Sequence, residues 1–102
     1  MLYGVLCRLG RPAGEYPTLL GAVQSVSVAL WQVSDTSWLV ESEQAAAVVR
    51  DAVAAAIEPA DFALVFPLDV APAVWTSLAA QRYGRRFLES ALVRERARRA
   101  SV

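Results

Sequence analysis

Two tryptophans stand seven residues apart in Trp31-Gln-Val-Ser-Asp-Thr-Ser-Trp38-Leu-Val-Glu41, and this spacing constrains the fold more than any other feature of the chain. Each arm is apolar and β-favouring, and Ser34-Asp35-Thr36-Ser37 supplies the turn chemistry between them. The segment therefore predicts a β-hairpin, with strands over 28–33 and 37–41. A helical pattern must precede it and another follow it if the hairpin is to be covered.

Both patterns are present. Residues 2–9 form an apolar run broken first by Arg8, which predicts a central strand. After the Gly10–Gly14 loop, Tyr16, Leu19, Leu20 and Val23 recur at helical spacing, with Pro17 tolerable in a first turn. Beyond the hairpin, Ser42 can cap a helix lined by Val49, Ala52, Val53, Ala56 and Ile57, which Pro59 ends. Residues 61–66 alternate, with Phe62, Leu64 and Phe66 on one side and Ala63 and Val65 on the other. The order β-α-β-β-α-β predicts an α+β fold of the ferredoxin-like class, with a four-stranded antiparallel sheet. Strands one and three take its centre, and helices over 15–26 and 43–57 lie on one face. We place this domain at 1–68. Residues 69–102 form a C-terminal helical extension with an arginine-rich tail, part of the same domain or a dimer arm, with helices over 72–82 and 85–97 separated at Gly84 and a frayed end.

Strand four is apolar on both sides, whereas two helices cover one face of a sheet. The other face must meet the C-terminal segment or a second subunit, which predicts a homodimer. A 56% apolar composition in 102 residues points the same way. All ten cations are arginine, which with the abundant alanine reads first as the composition of a GC-rich bacterial genome. With no histidine, neither a Ser-His-Asp triad nor a histidine metal site can form. Cys7 is the single cysteine, so no intrachain disulfide or cysteine zinc cluster forms, and with no activating base it reads as buried filler. The opening residues lack the pattern of a signal peptide, and no apolar run approaches the roughly 20 residues of a membrane span. The expectation is a cytoplasmic protein with no membrane contact, no metal and no cofactor.

Pro12-Ala-Gly-Glu-Tyr16 after strand one resembles the Pro-Gly-x-x-Tyr segment of SinR-like small proteins. Trp31 to Trp38-Leu-Val and then Asp61-Phe-Ala-Leu-Val are similar to that family's later blocks in order and spacing, so the resemblance covers about residues 1–68. That family is similar in turn to the small CRISPR adaptation subunit and the virulence-associated protein D toxins. The resemblance implies a ferredoxin-like homodimer in prokaryotic defence or toxin systems. In some relatives it also implies metal-dependent nuclease activity through an aspartate at the end of strand one. In the register set by Pro12 and Tyr16 that position holds Arg8, whose guanidinium cannot ligate a divalent cation.

The functional expectation is accordingly a non-catalytic binding or scaffold protein with no catalytic residues. The alternative is a divergent metal-dependent nuclease acting on RNA or DNA. Trp31 and Trp38 could stack bases, but the charges near them are Asp35, Glu41 and Glu43, so packing is the better reading. Asp35, Asp61 and Asp69 sit where short acids bond to local backbone. Residues 1–81 carry three arginines against eight acids, while residues 82–102 carry seven arginines against two. Arg82, Arg85, Arg86, Arg94, Arg96, Arg98 and Arg99 are the candidate partner-binding or nucleic-acid-binding residues. Trp75, Phe87, Leu88 and Leu92 are the candidate interface anchors. Apolar anchors beside arginines favour a protein partner over phosphate.

Overall fold

The computed structural model describes residues 1–68 and 82–100. Its elements are β1 (Leu2–Arg8), α1 (Leu19–Ser25), β2 (Ala29–Ser34), β3 (Ser37–Glu41), α2 (Ala46–Ala54), β4 (Phe62–Pro67) and α3 (Arg82–Ala100), with a single 3₁₀ turn at Ala13–Glu15. The four strands form one antiparallel sheet in the order β2-β3-β1-β4, so β1 and β3 are central, as the connection rules require.

The hairpin forms as its composition dictates. Ser34 and Ser37 pair across the turn with their hydroxyl oxygens 2.6 Å apart, leaving Asp35 and Thr36 at the tip. Trp31 stands opposite Leu39 and Gln32 opposite Trp38, so the two indoles leave opposite faces of the sheet. Trp38 is buried in the main core with Tyr3, Val5, Val40 and the α1 and α2 side chains Leu19, Val23, Val49 and Val53. This is the face that the first two helices cover.

The other face is where the expectations need correction. Residues 82–100 form a single helix that runs through Gly84 rather than breaking at it. Gly84 is there because the Trp31 indole lies against the helix: a methyl group built at Gly84 would overlap that ring. Phe87, Ala91 and Leu92 are buried against Leu2, with Leu39, Leu68 and Leu88 around them. Phe87 and Leu92, expected at an interface between molecules, thus fill a second core within the chain. The expected helix over 72–82, apart from its last residue, and Trp75 lie outside the described residues.

Two helix starts also shift. Tyr16 precedes Pro17 and adopts φ −118°, ψ 72°, which is not helical, so α1 begins at Leu19 instead of residue 15. Ser42 does not cap α2. Its hydroxyl donates to the Val26 carbonyl and accepts from the Gln44 amide, and the helix starts at Ala46 behind an extended Ala45. No helix of the described residues is long and apolar enough to cross a membrane.

Candidate functional site

Because β1 is central, its C-terminal end delivers Cys7 and Arg8 to one end of the sheet beside the start of β4. Arg8 pairs directly with Phe62 and Leu6 with Leu64, so these four side chains share the face that α3 occupies further along. Here α3 does not reach. Phe62 is 56% exposed, Leu6 44% and Leu64 43%. A cleft of about 580 Å³ opens at this end, lined by Leu6 to Gly10 on one side and Ala60, Asp61 and Phe62 on the other. It is within the size range of small-molecule sites.

The floor of the cleft is fixed by Asp61. Its Oδ1 accepts from the Gly10 amide at 2.8 Å, and its Oδ2 accepts from the Tyr16 hydroxyl at 2.7 Å and the Glu58 amide at 3.0 Å. The Tyr16 phenol and the Gly10 amide hold this carboxyl below the usual aspartate range. Donation to Asp61 in turn pushes the Tyr16 phenol up. Arg11 pairs with Glu58 and Glu15 and sits 5.4 Å from the Tyr16 ring centroid, closing the loop over the same corner. Burial, reinforced by Asp61, pushes the Cys7 thiol up, which disfavours the thiolate. The oxygens of Asp61, the carboxylate whose charge acts on the Cys7 thiol, are taken up by Gly10, Tyr16 and Glu58. Among the described residues no group of three or more acids and cysteines converges in a way that could hold a metal ion.

Arg8 differs from its neighbours. It lines the cleft and makes no hydrogen bond or ion pair among the described residues, while the nearby Arg11 is engaged by two acids. The chemistry this corner offers is an unspent guanidinium framed by exposed apolar side chains.

The arginine-rich helix is divided in its use. Arg94 Nε donates to both carboxylate oxygens of Glu41 at 2.8 Å, and its Nη2 lies 2.7 Å from Oε1. Arg98 lies 3.7 Å from the other Glu41 oxygen and 3.2 Å from Glu95, which also meets the Met1 ammonium at 3.2 Å. Glu41 is 1% exposed and Glu95 is buried, so these are anchoring contacts within the chain. Two of the seven candidate arginines are therefore committed to the body. Arg86 and Arg96 are exposed, and the side chains of Arg82, Arg85 and Arg99 lie outside what is described. A buried role for Glu41 follows Leu39 by two on the same strand face, a signal present in the sequence but masked by the habit of placing acids outward.

No protein-family model, no curated protein and no solved structure matches this chain.

Proposed function

We propose that this chain is a non-catalytic, dimeric binding or scaffold protein on a ferredoxin-like fold, of the SinR-like kind, working in the cytoplasm in prokaryotic defence or toxin systems. The strand order β2-β3-β1-β4, with two helices on one face, supports the fold reading. The observation that carries the function is the half-covered second face: α3 buries Leu2 and partly covers Leu39, while Leu6, Leu64 and Phe62 remain exposed beside it. An apolar strip continuous with a buried core is the kind of surface a second copy covers. The engaged oxygens of Asp61 and the raised thiol of Cys7 support a binding role over a chemical one. A protein partner is favoured over nucleic acid because two of the tail's arginines, Arg94 and Arg98, are spent on Glu41 of the body.

Size exclusion with light scattering tests the dimer. A mass near twice the 11.0 kDa of one chain is expected, falling to one chain in Leu64→Glu. A wild-type mass of one chain at all concentrations refutes it. Incubation with RNA and DNA, with Mg²⁺ or Mn²⁺ and with chelator, tests the absence of catalysis. Metal-dependent cleavage that co-purifies with the chain through every step would establish the nuclease instead.

A further inference from the structure

Resting on the reading of the chain as a binding protein, we propose that the cleft at the end of β1 is a site for a small aromatic monocarboxylate. Its carboxylate would lie on Arg8 and its ring against Phe62 and Leu6. Three observations converge on that class. Among the described residues, Arg8 is the one side chain lining the cleft that carries positive charge, and it has no partner there. A guanidinium offers a carboxylate two parallel donors, a geometry that an ammonium cannot supply. Next to it, on the neighbouring strand, Phe62 presents an exposed ring, and Leu6 flanks it two residues back on β1. These supply the apolar wall that a flat ligand body requires.

The charge around the cleft sets the upper limit on the ligand. Asp61 lines it as an ionised carboxylate, and Glu58 and Glu15 lie just beyond, with Arg11 between them. A phosphate ester or a nucleic-acid strand would bring two or more negative charges against these acids, with Arg8 the single unpaired guanidinium among the described lining residues to offset them. A monoanion matches Arg8 and leaves the acids undisturbed. The about 580 Å³ of space accommodates a bicyclic acid. Leu6 and Phe62 belong both to the cleft wall and to the strip proposed for the dimer, so the bound ring would lie at the edge of that interface; Leu64 is not in the lining, and Leu64→Glu therefore separates the dimer from the site.

Calorimetric titration of the full chain with 2-naphthoate is the test, with 2-naphthylmethanol as the neutral analogue and inorganic phosphate and adenosine monophosphate as competitors. One saturable site per chain is expected. Affinity should fall about tenfold or more in Arg8→Gln and in Phe62→Ala, and Arg8→Lys should recover part of the loss. The alcohol should bind about tenfold more weakly than the acid, and neither phosphate compound should displace naphthoate. Far-UV circular dichroism checks that these exposed positions leave the fold intact. Equal affinity in wild type and Arg8→Gln, equal binding of acid and alcohol, or tighter binding of the phosphate compounds would each overturn the proposal. Retained binding in a monomeric Leu64→Glu chain supports it, and loss of binding there with Arg8 intact overturns a site built by one chain. A monomeric wild type that still binds naphthoate through Arg8 removes the dimer alone.

Discussion

Asp61 ties together three stretches of chain at the cleft end of the sheet, and its single carboxylate makes that corner sensitive to pH. Its pKa lies lower in the folded protein than in the unfolded chain, so its contribution is present above the ordinary aspartate value and is lost as pH falls through the folded value. Tyr16 has the opposite sign. Its folded pKa is raised, so its contribution is complete below the ordinary phenol value and is lost as pH rises through the folded value. Urea midpoints measured from pH 2.5 to 5 should therefore decline less steeply in Asp61→Asn than in wild type, from a lower plateau. A Tyr16→Phe chain should shed part of the alkaline decline. Glu41 gives a second test at this scale. With Arg94→Ala its buried carboxylate keeps Arg98 at 3.7 Å, and the loss of stability should be about 3 kcal/mol by urea denaturation. Replacing both Glu41 and Arg94 by leucine should cost less than Arg94→Ala alone, because no buried charge is then left short of a partner. Asp61 was legible in the sequence as a turn acid because its backbone partner Glu58 is local. Its bonds to Gly10 and Tyr16 cross the fold and leave no trace in spacing.

Among the elements, the hairpin was the most legible and α3 the least, for one physical reason. A hairpin is decided by local turn chemistry and alternation, and both lie within a dozen residues. A helix that crosses a sheet is decided by what it meets. Gly84 costs a helix about 1 kcal/mol relative to alanine in isolation, which is why it reads as a break. Against Trp31 it is the residue that lets the helix lie down on the sheet. Gly4 has the same role on β1, where the Phe66 ring covers the bare backbone from the neighbouring strand. Gly84→Ala should therefore destabilise the protein by about 1–3 kcal/mol through overpacking, despite its better helix propensity. In a Trp31→Val background the sign should reverse, with alanine at 84 stabilising by up to about 1 kcal/mol. Thermal melts of the four chains check both statements. A destabilising Gly84→Ala in both backgrounds would show that the ring is not the cause.

At the scale of the whole molecule, the sequence allows the C-terminal extension to be part of the same domain or a dimer arm, and α3 packs against the body of its own chain. The body carries an excess of acids and the C-terminal segment an excess of arginines, and the fold brings them into contact. Arg94 and Arg98 meet Glu41, and Phe87 and Leu92 cover Leu2. The charge asymmetry was plain in the sequence, but its target was not, since an acidic partner surface on another molecule would produce the same pattern. The distinction decides how the tail must be tested. Removing α3 would expose Leu2, Leu39 and Trp31 together and leave the buried Glu41 without a counter-charge. A chain ending at residue 81 should thus lose cooperative unfolding and bind hydrophobic dyes, whatever its partners are. Arg86 and Arg96 are exposed and take no part in that anchoring, so Arg86→Gln with Arg96→Gln should melt as the wild type does. The double variant is then the one that reports on partners. A cooperative melt at the wild-type midpoint in the truncated chain would show that the body folds without α3, and would make α3 an arm free to engage another molecule.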